Sequence, residues 1–365
     1  MNVLVPNLGS TSLKYQLIEF PSERVLARGR RERITDYREA VEKALDAADS
    51  VDAVGFKAVH AGPDYRGTFL IDDDLLAALE TYSAAAPMHN RIYLTGIRAF
   101  RELRPELPLV AVLEPGFHLT VPDHATTYGV PSEWRQKHGI RRYGFHGSSH
   151  RFISQRVPEF LSRDASELKI VSCHLGGSAS MCAIKAGKSL DTSMGYSPQS
   201  GLQNATRNGE LDVFAALQVM DQEGWSSAEL RDQLLSNSGL SGISGVPGGD
   251  LRDVEEAADS GSAAASLALA VFAYEVRKTI GAYAAVMGGI DAVAFTGGIG
   301  ENSARIRAMA CERLNFLGIR IDPVHNVSDS GDRVISYEDA AVKALVLETN
   351  EELVVARETA SLLAG

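Results

Sequence analysis

The sequence is short of cysteine, of basic residues and of long apolar runs. Its 365 residues include only three cysteines, Cys173, Cys182 and Cys311, and no two of them form a CxxC pair. So few thiols exclude a disulfide scaffold for a chain of this size and predict a reducing, cytoplasmic compartment. The 36 lysines and arginines against 47 acidic residues leave a net charge of −11. This charge disfavours nucleic acid and anionic membranes as partners and favours a small molecule.

The apolar stretches are too short for a membrane span. The longest stretches without charge, Ser260 to Tyr274 and Thr279 to Ile290, fall short of roughly 20 apolar residues. The start, MNVLVPNLGS, has neither a basic nor a long apolar region, so we expect no signal peptide. What is present, 45% hydrophobic and 23% charged residues, is typical of a globular protein with two domains.

Short strand-like runs fill the beginning of the chain. NVLVP, SLKYQLIEF and RVLARGRRE are separated by turn residues and predict an antiparallel three-stranded meander. Helical spacing from Tyr37 to Asp49 and the apolar run VDAVGFKAVHAG extend the order to βββαβ. Two helices, roughly Asp73 to Tyr82 and Asn90 to Leu103, precede a further buried strand, PLVAVLEP.

The second half repeats this pattern. A strand, LKIVSCHLG, leads into the hairpin GGSASMCAIKAGKSLDT, and a glycine turn follows a strand both at Asn7 to Ser12 and at His174 to Ser180. This recurrence predicts a duplicated βββαβα unit. The alanine-rich stretch from Gly261 to Met287 predicts a long helix, and the closing run NEELVVARETASLLA predicts another.

Three glycine turns at strand ends are candidate phosphate sites: NLGSTSLK, HLGGSAS and FTGGIGEN. Exposed backbone N–H groups in such turns bind anions, and in the first turn Ser10, Thr11 and Ser12 add hydroxyl donors while Lys14 adds a charge. A plain hairpin turn is the alternative at each place. None of the three fits the P-loop, and GGIGEN fits the dinucleotide fingerprint poorly.

The order and spacing of six motifs carry a family resemblance. They are NLGSTSLK, RRYGFHGSSHR, DTSMGYSPQSGL, ATRNGELD, FTGGIGENS and TNEELVVARET. The chain resembles the acetate/propionate kinases, within the superfamily of sugar kinases, actin and Hsp70. The resemblance implies an α/β fold of two βββαβα domains, like those of the actin-like ATPases and ribonuclease H, with an interdomain cleft. It assigns residues 1–117 and the helix 351–365 to an N-terminal domain, and 118–350 to a C-terminal domain with the nucleotide site and the dimer interface.

The activity implied by the resemblance is reversible, ATP-dependent phosphorylation of a short-chain carboxylate to an acyl phosphate by direct in-line transfer. ATP is then the co-substrate, Mg²⁺ or Mn²⁺ the metal, and a homodimer the expected assembly. Two alternatives remain open at this point. One is the same fold with another donor, such as pyrophosphate, or a non-acetate acceptor. The other is a weakly active nucleotide- or carboxylate-binding protein.

The resemblance also implies residue roles. Phosphoryl transfer between two anions needs charge neutralisation, so cations and hydrogen-bond donors are the expected types. The catalytic candidates are Arg207, His146, Glu114, Lys57 and His89. The nucleotide and phosphate candidates are Asn7, Ser10, Ser12, Lys14, His174, Gly176, Gly177, Asp250, Leu251, Arg252, Gly297, Gly298, Ile299, Gly300, Glu301 and Asn302. The acceptor pocket would be lined by Val59, Met88, Phe145 and Pro198, and the metal would be held by Asn7 and Glu351.

The sequence departs from the family pattern at three of these positions. Lys57 replaces an arginine, which keeps the charge but loses the fork that binds carboxylate or phosphoryl oxygens in pairs. Glu114, followed by Pro115, replaces an aspartate, and Gly177 replaces an asparagine. Three interpretations remain open: a pocket rebuilt for another acceptor or phosphoryl donor, a loss of activity with another property selected, or a compensated lysine and glutamate pair.

Overall fold

The computed structural model describes residues 1–9, 12–48, 50–84, 87–328 and 331–365, without the side chains of 84 and 87–89. Its first sheet has six strands in the order β3-β2-β1-β4-β6-β5. They are β1 (Asn2–Gly9), β2 (Ser12–Glu19), β3 (Arg24–Glu32), β4 (Ala53–Ala58), β5 (Thr68–Leu70) and β6 (Leu109–Leu113). Strands β1 to β3 pair antiparallel, whereas β1, β4 and β6 run parallel, which confirms the predicted meander and crossovers.

The second sheet also has six strands, in the order β11-β12-β10-β7-β8-β9. They are β7 (Lys169–Leu175), β8 (Ala179–Lys185), β9 (Lys188–Thr192), β10 (Ala292–Thr296), β11 (Arg333–Val334) and β12 (Lys343–Val346). Read from β9 to β11, this order repeats that of the first sheet from β3 to β5. The parallel strands β7, β10 and β12 correspond to β1, β4 and β6. The duplicated α/β fold is therefore confirmed.

Helices connect and cover the two sheets. In the first half they are α1 (Tyr37–Asp46), α2 (Asp73–Thr81), α3 (Pro87–Leu103), α4 (Asp123–Thr126), α5 (Ser132–His138) and α6 (Gly147–Leu161). The others are α7 (Val213–Glu223), α8 (Ser227–Ser236), α9 (Gly239–Ser244), α10 (Leu251–Asp259), α11 (Ala263–Met287), α12 (Gly297–Asn302), α13 (Ala304–Cys311), α14 (Pro323–Val327) and α15 (Glu351–Ala364). None in the described part of the chain is long and apolar enough to cross a membrane.

The last helix packs on the first sheet. Val355 of α15 is buried in one cluster with Val3, Val5 and Val112, while α1, α2 and α3 cover the opposite face of that sheet. On the second sheet, α11 covers one face and α6 the other. An ion pair between Arg151 of α6 and Glu358 of α15 joins the two helices between the sheets. The domain boundaries at 117 and 351 remain a prediction that this packing favours.

One strand was not predicted. The strand β5 was not expected, because it has only three residues, Thr68–Leu70, at a sheet edge. The third glycine turn begins a helix, because Gly297–Asn302 forms α12. Gly297 enters it at φ +76°, where a Cβ would lie 2.7 Å from the Leu175 carbonyl oxygen. The Glu301 carboxylate accepts a hydrogen bond from the Gly297 N–H at 2.8 Å, which satisfies the first turn of this helix.

Candidate active site

The site lies where the parallel strands of both sheets end. Lys57 is near the end of β4, Glu114 follows β6 directly, and His174 is near the end of β7. Two helices begin at the same place, α6 after His146 and α15 at Glu351. Ligands of open α/β sheets bind at the carboxyl ends of the strands, so this edge is the expected location.

One group of charged side chains joins the first sheet to α15. The Lys57 ammonium forms an ion pair with Glu351, and the two side chains are 25% and 14% exposed. The second Glu351 oxygen, Oε1, lies 3.9 Å from His174 Nδ1 and accepts no hydrogen bond from the described residues. Burial opposes ionisation of both partners, but their attraction raises the pKa of Lys57 and lowers the pKa of Glu351.

Glu114 is enclosed beside this pair. Its side chain is buried, and Oε1 accepts a hydrogen bond from Ser148 Oγ at 2.9 Å. Gly147 is required next to it, because a Cβ there would overlap the Glu114 carbonyl oxygen. Burial raises the pKa of Glu114 to about 7, although Lys57 opposes this shift. Tyr93 is buried at the same place, and burial raises its pKa to about 12.

His146 occupies a strained position at the start of α6. Its φ of 55° is in the left-handed region, which a non-glycine residue adopts only where the surroundings enforce it. Nδ1 lies 2.7 Å from Ser180 Oγ, and the ring centroid lies 4.3 Å from that of His174. Burial, then the neighbouring His174 and His150, lower the pKa of His146 well below its usual value. It is therefore neutral at neutral pH.

Arg207 is held in a half-buried position by the loop after β9. Its Nη1 donates a hydrogen bond to the Pro198 carbonyl at 2.8 Å. Burial lowers the pKa of Arg207 to about 10, which still leaves the guanidinium charged at neutral pH. Lys57 and then Arg207 are the two cations that contribute to the lowered pKa of His146.

Two of the predicted apolar pocket residues lie together, and a third adjoins Arg207. Val59 and Phe145 are buried in one cluster with Tyr143 and Met194, and Pro198 adjoins Arg207. The side chains of Met88 and His89 lie outside the described residues. The lining of an acceptor pocket by these residues therefore stays a prediction, for which the shared cluster of Val59 and Phe145 is the structural support.

The strand before the first glycine turn contacts the start of α15. Asn7 and Lys14 are register partners on β1 and β2, and Asn7 Nδ2 donates a hydrogen bond to Glu352 at 3.2 Å. Lys14 is exposed, and Ser12 is half-buried. Ser10, with Thr11, lies outside the described residues.

The second and third glycine turns lie side by side. The nearest atoms to a Cβ built on Gly176 include the Gly298 backbone nitrogen at 3.9 Å, whereas a Cβ on Gly177 would meet nothing within 4 Å. Asn302 Nδ2 donates a hydrogen bond to the Gly298 carbonyl at 2.8 Å. Gly300 and the mostly buried Ile299 continue the helix α12. These turns leave the space beside Gly177 open.

The predicted adenosine contacts are only partly supported. Asp250 caps α10 and accepts a hydrogen bond from Arg252 Nη2 at 2.6 Å, and this bond lowers the pKa of Asp250 to about 2. Arg252 is exposed. The first turn of α10 buries the Leu251 side chain in the core beside the second sheet, and its predicted contact with the nucleotide stays a prediction.

Sequence reasoning missed the residues that connect these groups. Ser149 Oγ lies 2.8 Å from His174 Nδ1 and accepts a hydrogen bond from Thr349 at 3.1 Å. Asn204 accepts from the Ala179 N–H at 2.6 Å. The buried Arg307 donates to the carbonyls of Gly300 and Glu301 and so fixes α12. No motif marked these pairings, because each joins distant parts of the chain.

A magnesium ion would find suitable oxygen donors at the start of α15. Within the described ranges no three His, Cys, Asp or Glu side chains form a metal cage. Mg²⁺, however, keeps several waters and needs only one or two carboxylates besides the phosphates of a substrate. Glu351 Oε1 and the Asn7 amide oxygen accept no hydrogen bond from the described residues. The donor set therefore fits this ion.

Comparisons with known proteins agree with this geometry. The family model described as the acetokinase family matches residues 34–357. The acetate kinase of Caldanaerobacter subterraneus subsp. tengcongensis is 42% identical over 400 aligned residues, covering 100% of both chains. That of Thermotoga maritima is 42% identical over 398 residues, covering 100% of this chain and 99% of the relative.

Solved structures show the same likeness. The crystal structure of Porphyromonas gingivalis acetate kinase has a TM-score of 0.89 at 36% identity and covers 99% of each chain. A propionate kinase from Francisella tularensis has a TM-score of 0.91 at 34% identity and also covers 99% of each chain. The chain belongs to the acetokinase family.

Proposed function

We propose that the protein transfers the γ-phosphoryl group of ATP to a short-chain carboxylate, acetate or propionate, and forms an acyl phosphate and ADP reversibly. The observation that carries this proposal is the convergence of Lys57, Glu351, Glu114 and His174 between the two sheets. The apolar residues Val59 and Phe145 fit a short alkyl chain. The alternative donors and acceptors are not favoured, because full-length relatives bear the names acetate kinase and propionate kinase.

The transfer forms one bond and breaks one. A carboxylate oxygen of the acid attacks the γ-phosphorus, the bond from that phosphorus to the β,γ-bridging oxygen breaks, and ADP leaves with the electron pair. Negative charge spreads over the three outer phosphoryl oxygens during this step. Arg207 and His146 are the chain's groups for those oxygens, because one is a held cation and the other a neutral hydrogen-bond former.

Lys57 and Glu114 set the charge around the acceptor. We assign Lys57 to the acceptor carboxylate, which its ammonium attracts while Glu351 holds it in place. Glu114 restrains the same region, because its side chain is fixed by Ser148. His89 is kept as a supporting residue on the family motif alone.

Nucleotide binding would use the glycine turns and α10. Asn7, Ser10, Ser12 and Lys14 belong to the first turn, and Asp250 with Arg252 would face the adenosine. Glu351 and Asn7 would hold Mg²⁺, which when bound neutralises phosphate charge. Mn²⁺ prefers the same oxygen ligands.

A homodimer would use the apolar surface of α7. This helix buries none of its side chains, and Phe214 is 74% exposed. Apolar side chains grouped on a surface favour contact with another protein surface. A second copy of this chain is the occupant expected from the family, and sedimentation of wild type and Phe214→Ser tests it. The cytoplasmic location also stays a proposal, resting on three buried free thiols.

Hydroxylamine trapping tests the activity. Purified protein is incubated with Mg²⁺, hydroxylamine, one of acetate, propionate or butyrate, and either ATP or pyrophosphate. We expect acyl hydroxamate with ATP and acetate or propionate, and none with pyrophosphate. The control is Arg163→Ala, which removes an ion pair with Asp291 outside the site. This variant should form as much hydroxamate as wild type. Absence of hydroxamate with every acid would contradict the proposed function.

A further inference from the structure

Four side chains form one hydrogen-bonded line from the second sheet to the cleft. Ser172 Oγ of β7 lies 2.9 Å from His150 Nδ1. His150 Nε2 lies 2.8 Å from Ser180 Oγ of β8, and Ser180 Oγ lies 2.7 Å from His146 Nδ1. The first three side chains are fully buried, whereas His146 is half-buried at the cleft. We refer to Ser172, His150 and Ser180 as the relay.

The relay allows only two complete directions of hydrogen bonding. Burial lowers the pKa of His150 and of His146 well below the usual value, so each ring is neutral and carries a single N–H. The Ser180 hydroxyl has one proton and lies between the two rings. If it donates to His146, then His150 must donate to it from Nε2. If it donates to His150, then His146 must donate to it from Nδ1.

The inner end of the line decides between the two directions. In the first, the Ser172 hydroxyl donates to His150 Nδ1, and every proton of the three buried side chains has an acceptor; the remaining N–H, at His146 Nε2, belongs to the half-buried residue at the cleft. In the second, His150 Nδ1 donates to Ser172, and the Ser172 proton needs another acceptor. Ser172 is fully buried and makes no other side-chain hydrogen bond with the described residues. A buried donor left unpaired costs about 1–3 kcal/mol, so the first direction is favoured.

We propose that the relay holds His146 in the tautomer that carries its proton on Nε2, and so makes it a hydrogen-bond donor toward the transferring phosphoryl group. Its role in transfer rests on the proposed function. The opposite tautomer would present a lone pair to anionic oxygens and repel them. Ser172, His150 and Ser180 are thus positioning residues, because they act on the phosphoryl group only through His146.

NMR spectroscopy detects the tautomer of His146 directly and needs no catalytic turnover. Protein labelled with ¹⁵N-histidine is studied by long-range ¹H–¹⁵N correlation, with the His146 signals assigned from His146→Gln. We expect the Nε2–H pattern in wild type and its loss or mixing in Ser180→Ala and Ser172→Ala. Ser189→Ala is the matched control, because it removes a buried serine 2.9 Å from His118 Nδ1, outside the relay.

The kinetic constants of the serine variants provide the second test. Ser180→Ala should lower kcat about tenfold, with KM for ATP and acetate within about twofold, because the lost interaction acts in the transition state. Ser189→Ala should keep kcat within about twofold of wild type. Ser180→Cys, which keeps a weak donor, should recover part of kcat.

The outcomes separate the two proposals. An Nδ1–H pattern for His146 in wild type, or wild-type kcat in a folded Ser180→Ala variant, would overturn the relay. If Ser180→Ala does not fold, the wild-type tautomer and Ser172→Ala decide in the same way. The Nε2–H pattern without any acyl phosphate in wild type would contradict the proposed function and leave the relay standing.

Discussion

The two sides of the cleft are built on the same strand order but use different chemistry. Beside the first sheet, Lys57, Glu351 and Glu114 form a charged group. Beside the second sheet, His146 and His174 are neutral rings held by serine hydroxyls. A charge removed from water needs a partner, whereas a neutral ring needs only a hydrogen bond.

This difference fits the two reactants. The charged side offers an ammonium group for a carboxylate and a carboxylate for a metal ion. The neutral side offers donors that need no reorganisation when phosphoryl charge develops. Arg207 is the cation that we propose for the phosphoryl oxygens, so we expect it to carry the largest share of that charge.

Arg207→Ala should therefore have the largest effect. Because it removes the cation that we propose for the phosphoryl group, we expect kcat to fall about a thousandfold, as for arginines in other phosphoryl transferases. Hydroxamate formation measures kcat, and thermal unfolding should change little. A mild loss of activity would show that the active site is misplaced.

Glu114→Gln tests the charged side through stability. The folded pKa of Glu114, about 7, is above its usual 4.5, so its contribution is present below about pH 4 and is lost as the pH rises through 7. From about pH 4 to 8, wild type should lose roughly 2–3 kcal/mol relative to Glu114→Gln. Urea unfolding across this range measures the difference. Parallel pH profiles for the two proteins would contradict a buried Glu114 with a raised pKa.

Lys57→Arg combined with Glu114→Asp restores the family residues. The guanidinium can bind Glu351 and an acceptor carboxylate together, and the shorter aspartate leaves room for it. We expect kcat/KM for acetate to rise about tenfold in the double variant. The gain should exceed the sum of the single variants by at least about 0.5 kcal/mol, because the two side chains share one site. Kinetics equal to wild type on acetate, propionate and butyrate would mean that neither residue contacts the reacting groups.

Gly177→Asn should have the smallest effect. The space beside Gly177 is open and its φ is not positive, so an asparagine fits without strain. Its amide could donate to a nucleotide phosphate, so we expect KM for ATP to fall about threefold, a gain typical of one modest hydrogen bond. The control is Gly281→Asn on α11, because the space beside Gly281 is equally open. Gly187 is unsuitable for this purpose, because its φ of +73° would strain an asparagine. An effect equal to that of Gly281→Asn would place Gly177 away from the nucleotide.

The sequence was most informative where a pattern is local or repeated. The meander of β1 to β3, the parallel strands and the long helix α11 follow from periodicity within each segment. The repeat at Asn7 and His174 predicted the second copy of the fold. The three-residue strand β5 carries too little periodicity to be recognised.

The site was predicted through motifs and not through pairings. Lys57, Glu114, His146 and His174 were all named from the sequence, and the structure brings them together. The partner of Lys57 could not be predicted from the sequence, because Glu351 is 294 residues further along the chain. The serines of the second sheet were missed for the same reason. The burial of Leu251 could not be predicted either, because it depends on packing that the motif does not encode.

The central claim is direct transfer of the γ-phosphoryl group to a carboxylate oxygen, and one ³¹P NMR experiment tests it. ATP, Mg²⁺ and acetate labelled with ¹⁸O in both oxygens are incubated with the wild-type protein. The account predicts ADP and an acetyl phosphate whose phosphorus is bonded to a single ¹⁸O from acetate. AMP with pyrophosphate, or an acetyl phosphate without ¹⁸O on its phosphorus, would contradict it.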